Sequence, residues 1–157
     1  MNRFLSAFII CAAAGLTACG YSSNGSNLTP VVTGTWTMTF APTAQGGTTP
    51  PSTTLTANFN QSGNTLSATV TAVNNPPSSC FPTITSNGTT FTVTGQVSTA
   101  ASSNLNVSVA FTSGSSSGTI MGTGALAYLS TMANGTFSFG TPGTACSTGA
   151  FTMTKIG

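Results

Sequence analysis

The chain has 157 residues, 39% of them hydrophobic and 1% charged, with two basic residues and no Asp, Glu or His. General acid-base catalysis at neutral pH draws on His, carboxylates or a perturbed Lys, and zinc, calcium and magnesium sites draw on imidazole, carboxylate or clustered thiolate. With only Arg3, Lys155 and four Cys to offer, the sequence points away from enzymes, cofactors and metals, and it carries no basic footprint for nucleic acid.

Arg3 precedes an apolar run over residues 4–16, which ends in Thr17-Ala18. A basic start, about 7 to 15 apolar residues and small residues before a cut make a secretory signal. The run falls short of the roughly 20 apolar residues that a spanning helix needs. Leu16-Thr17-Ala18-Cys19 resembles the lipobox of bacterial lipoproteins. The resemblance implies that Cys19 receives diacylglycerol, that residues 1–18 are removed, and that Gly20, not being Asp, permits delivery to the outer membrane. The expected protein is exported and lipid-anchored in the cell envelope, with its periplasmic or surface face left open. The alternative is an ordinary secretory signal beside an incidental Cys19 thiol. Cleavage would also remove Arg3 and Cys11, leaving Lys155 as the only charged side chain.

Residues 19–30 lack periodicity and suit a flexible tether; residues 31–157 are long enough for one core. Within them, period-two alternation sets apolar residues against Thr, Ser, Asn or Gly. Trp36, Met38 and Phe40 predict a first strand, Leu55, Ala57 and Phe59 a second, Leu66, Ala68 and Val70 a third, and Ile84 a short segment. Others follow at Phe91, Val93, Gly95 and Val97; at Leu105, Val107, Val109 and Phe111; at Ile120, Gly122, Gly124 and Leu126; at Phe137 and Phe139; and at Phe151 and Met153. Thr and Ser make up about a third of the chain, and β-branched, hydrogen-bonding Thr suits an outward strand face. Asn87-Gly88 and Asn134-Gly135 read as two-residue hairpin turns, Ser62-Gly63-Asn64 and residues 113–118 as looser ones. Gly122 and Gly124 mark a bend or the close approach of another backbone.

The fold class is therefore all-β, an antiparallel up-and-down meander of about eight strands. Open sheet edges are normally guarded by charge or Pro, which these strands nearly lack, so a closed barrel is expected, with a β-sandwich as the alternative. Outward Thr and Ser, without an apolar band, argue against a membrane-spanning barrel. Gly34-Thr35-Trp36 is similar to the Gly-X-Trp opening of lipocalin-like and avidin-like barrels, and residues 149–155 resemble the last avidin-like strand. That likeness implies a barrel holding one small ligand at an open end, with Trp36 as a candidate ligand contact beside its reading as core. The other lipocalin motifs and the Trp-rich, charged avidin wall do not occur in the sequence, so biotin binding does not carry over. The whole chain resembles small Thr/Ser/Gly-rich β lipoproteins of bacteria, which implies an envelope location.

Beyond Cys19, Cys80 and Cys146 remain. An oxidising compartment and an even count predict a disulfide between them, two buried free thiols being the alternative. Closing about 67 residues would contribute roughly 4 kcal/mol in the chain-entropy model. The expected function is a structural or interaction role, the hydroxyl-rich exterior meeting cell-wall glycan or another envelope protein; it requires a filled barrel. A lipid-anchored module holding a small apolar or sugar-like ligand is the alternative and requires a cavity. Self-association is a third reading, because strong β-propensity with little charge favours cross-β contacts.

Overall fold

A computed structural model of the chain describes residues 29–44, 46–77, 79, 81–82, 84, 87–98, 104–126, 131–140 and 146–157. The leader, Cys19, Gly20, most of the tether and Cys80 lie outside the described residues. Eight strands run in chain order: β1 Gly34–Pro42, β2 Thr53–Ser62, β3 Thr65–Asn74, β4 Thr89–Val97, β5 Asn104–Ser113, β6 Ser116–Leu126, β7 Met132–Phe139 and β8 Thr148–Lys155. Each pairs antiparallel with the next, and β1 pairs with β8 from Trp36↔Lys155 to Pro42↔Gly149, which closes the barrel.

Alternation places the core. In β5, Leu105, Val107, Val109 and Phe111 are buried, and in β1 Trp36, Met38 and Phe40 are fully so, all in one apolar cluster. A one-residue slip would turn these side chains outward and bury hydroxyls, so the register is strongly specified.

Three sequence expectations need correction. Ile84 is not in a strand: it lies in the connection between β3 and β4 and is buried there with Phe81. Asn87-Gly88 makes no two-residue hairpin; Gly88, at φ +86°, ends that long connection just before β4. Asn134-Gly135 lies inside β7, where Gly135 pairs with Gly124 and with Phe151. The tight hairpins are instead Gly63-Asn64 and Gly114-Ser115, closed by Ser62↔Thr65 and Ser113↔Ser116. Their glycines sit at φ +59° and +58°, the positive φ that primed hairpin turns require at the first central position.

Close approach explains the strand glycines. A Cβ on Gly135 would overlap the Thr123 carbonyl oxygen, one on Gly149 the Ala41 carbonyl oxygen, and one on Gly124 would lie 2.8 Å from the Asn134 carbonyl oxygen. At Gly122 the neighbour is the Phe151 ring, 3.0 Å away. Aromatic rings occupy the room that these glycines leave: Phe137 pairs with Gly122 on one side and Gly149 on the other, and Phe151 pairs with Gly135.

One seam is weaker than the rest. The β3–β4 ladder holds four residue pairs, Thr65↔Gln96 to Ala68↔Val93, where the other ladders hold seven to ten. Opposite the Thr56/Ala57 step of β2 the β3 register shifts, Thr56 facing Ala72 and Ala57 facing Val70. Such a bulge bends its strand and can end pairing with a neighbour; Thr71 Oγ1 donates to the Thr56 carbonyl oxygen at 3.3 Å.

Candidate functional site

The barrel can meet another molecule at its two ends or on its outer wall. At the lower end, where β1 begins and β8 finishes, the chain arriving from Thr29 turns inward. Val32 is fully buried, and its carbonyl oxygen accepts from Trp36 Nε1 at 2.7 Å. Gln61 holds this entry in place: its Oε1 accepts from the Val32 N–H at 2.7 Å, while its Nε2 donates to the carbonyl oxygens of Pro30 and Gly63 at 3.0 Å. Trp36 is fully buried and its polar atom is satisfied. It is part of the core, the reading weighed in the sequence beside Trp36 as a candidate ligand contact.

At the upper end the β3–β4 connection brings Phe81 into the core. Its ring centroid lies 6.4 Å from that of Phe40, 5.7 Å from Phe137 and 5.2 Å from Phe139, and Phe40 stacks on Phe151 at 5.5 Å. Asn75 organises this connection. Its Oδ1 accepts from Thr53 Oγ1 and Ser79 Oγ, both at 2.6 Å, and its Nδ2 donates to the Pro82 carbonyl oxygen at 3.1 Å. Cys146, just before β8, is buried and disulfide-bonded rather than a free thiol. Its expected partner, Cys80, lies outside the described residues.

Both ends therefore carry packed side chains where a lipocalin-like barrel would keep a mouth. Among the described residues no buried side-chain nitrogen or oxygen lacks a hydrogen-bond partner. Among the same residues no three His, Cys, Asp or Glu converge.

Concavity lies in the wall instead: a cleft of about 220 Å³ at the short β3–β4 seam is lined by Val70, Val73, Thr89 and Phe91, and two grooves lie on the outer face. A groove of about 500 Å³ runs over β6, β7 and β8, bordered by Met121, Thr123, Thr136, Ser138 and Thr148. A second, of about 340 Å³, runs over β4, β5 and β6, bordered by Thr94, Gln96, Asn106 and Ser108 and sharing Met121 and Thr123 with the first. Hydroxyls edge the first groove and hydroxyls and amides the second, while Met121, Phe137 and Ala150 in the first and Met121 and Val107 in the second make both mainly apolar, which suits an uncharged partner with apolar faces. On the neighbouring β1 and β2 the threonines are engaged: Thr39 Oγ1 and Thr54 Oγ1 lie 3.2 Å apart, and Thr37 Oγ1 donates to the Thr154 carbonyl oxygen of β8 at 3.3 Å.

Gln61, Asn75, Val32 and Phe81 were not singled out from sequence. Gln61 and Asn75 read there as ordinary polar residues near turns, and only the three-dimensional meeting of distant segments reveals their work. Comparison with protein-family models, with curated proteins and with solved structures returns no match. Function rests on the residues themselves.

Proposed function

We propose that the protein is a non-enzymatic lipoprotein of the bacterial cell envelope that acts through the outside of its barrel. The observation that carries the surface role is the packed interior, closed at both ends by Val32 with Trp36 and by Phe81 with Ile84. A filled small barrel has its outer face left to work with. The grooves beside Met121, mainly apolar and edged by neutral hydrogen-bonding groups, suit a neutral partner such as cell-wall glycan, whose sugar rings have apolar faces, or an uncharged face of another envelope protein. A small ligand held inside, as in lipocalin-like barrels, finds no support in this packing.

The anchor belongs to the same reading and is supported by the leader residues alone. Cys19 carries the lipid, Gly20 permits passage to the outer membrane, and residues 19–30 tether the barrel of residues 31–157. Cys80 pairs with Cys146, tying the upper connection to the segment before β8; the buried, bonded state of Cys146 supports this pairing. Membrane fractionation of cells expressing Cys19→Ala tests the anchor. The variant should move from the membrane pellet to the soluble exported fraction, and unchanged fractionation would overturn the lipoprotein reading.

A further inference from the structure

Among the described residues, large exposed apolar side chains are distributed unevenly. Val31 is 59% exposed, Ile156 46% and Met132 45%, and all three lie at the lower end; Met121, the fourth, lies on the wall. The pairings make the first three a rim. The Lys155 N–H donates to the Thr131 carbonyl oxygen, beside Met132, at 2.7 Å. The Ile156 N–H donates to the Thr35 carbonyl oxygen at 2.8 Å. Val31 precedes the buried Val32, whose carbonyl oxygen receives the Trp36 indole. Lys155, the only charged side chain after Cys19, lies in the same rim with Nζ 6.0 Å from the Trp36 ring centroid.

We propose that this lower rim is a membrane-docking face, which seats the barrel end-on in the headgroup and upper acyl region of a bilayer. Three features favour a lipid surface over a protein. The apolar residues lie on one arc of the barrel end, at β7, β8 and the chain entering β1, a small area that suits shallow insertion at an interface. A Lys among them can place its stem along apolar surface and its ammonium among phosphates. The chain enters this same end, and Thr29 stands ten residues after Cys19, a reach of at most about 35 Å when extended. The inference rests on the proposed lipid anchor, which would hold this rim, and not the upper end, next to the membrane. Docking in turn orients the outer grooves sideways, open to partners in the plane above the bilayer.

Trp36 is the only Trp in the chain and pairs directly with Lys155 of the rim. It serves as a built-in depth probe. The chain from Cys19 to Gly157 would be coupled through its Cys19 thiol to maleimide-bearing phosphatidylethanolamine in phosphatidylcholine vesicles, some brominated near the headgroup end of their acyl chains. Because this attachment is chemical, the result is independent of whether cells lipidate Cys19, which the Cys19→Ala fractionation reads separately. Brominated vesicles should remove most of the Trp36 emission. The triple variant V31S/M132S/I156S should keep its emission in them while matching the wild type's emission maximum and melting curve in plain vesicles. An unquenched wild type would overturn the proposal, and so would equal quenching of wild type and triple variant.

Discussion

The inward positions of β1 and β2 hold Trp36, Met38, Phe40, Leu55 and Phe59, whereas those of β6, β7 and β8 include Gly122, Gly124, Gly135 and Gly149. An eight-stranded barrel is just wide enough to be filled by side chains. When β1 and β2 supply indole and phenyl rings, other strands have to give up volume. Ile120, Leu126, Phe137, Phe151 and Met153 also point inward from these strands, and Phe137 and Phe151 are each flanked across a strand by glycine. The difference continues outside. The wall of large residues carries threonines that bond to one another or to backbone, and the wall containing the glycines carries the open grooves around Met121 and Thr123. Interior volume and exterior shape are thus two consequences of one division of labour between strands.

That division can be broken from either side. Phe40→Ala removes the ring that meets Phe81, Phe137 and Phe151, and a loss of about 3–5 kcal/mol is expected by chemical denaturation, as for other buried aromatic truncations. A loss near zero would mean that the surrounding side chains can collapse into the space. Gly135→Ala attacks the other wall. Its Cβ would overlap the Thr123 carbonyl oxygen, so the β6–β7 ladder must part, at a cost of about 3 kcal/mol or somewhat more. A cost well below that, in the same denaturation experiment, would show that Gly135 is not needed for close approach. Gly122→Ala meets the Phe151 ring, not backbone, so about 1 kcal/mol is expected, and Phe151→Leu in the same chain should recover part of it. Simple additivity of the two changes would remove the claimed ring-to-glycine complementarity.

The smallest effect distinguishes neither wall. With no Asp, Glu or His in the chain, folded and unfolded states bind protons alike between about pH 4 and 9, so stability has no slope there. Melting temperatures across that range should coincide, and a marked trend would reveal an uncounted titrating thiol.

The two walls also differ in how much of them could be read from the amino-acid sequence. The large-residue wall was legible residue by residue, since Trp36, Met38, Phe40, Leu55 and Phe59 alternate with polar neighbours. The paucity of charge at strand edges led correctly to closure of the sheet. The glycine wall was legible only in part. Glycine serves both positive φ and close approach, and the two uses look the same in a sequence. Asn134-Gly135 carries the local signal of a turn, yet its conformation follows from strand packing by Thr123, Gly124 and Phe151, residues distant along the chain. Gly63-Asn64, by contrast, does its work locally, and the turn was seen there. The end plugs were the least legible. Nothing local to Val32 or Phe81 says that a barrel end lies open to receive them, and Gln61 and Asn75 are recognisable as clamps only once the segments they join have met.

The packed interior is the claim on which the surface-acting role depends. Native mass spectrometry of the protein taken from an oxidising bacterial periplasm without denaturation tests it most directly. A single mass matching the polypeptide and its N-terminal modification is expected. A discrete additional small molecule that leaves only on unfolding would contradict the account and place the function inside the barrel.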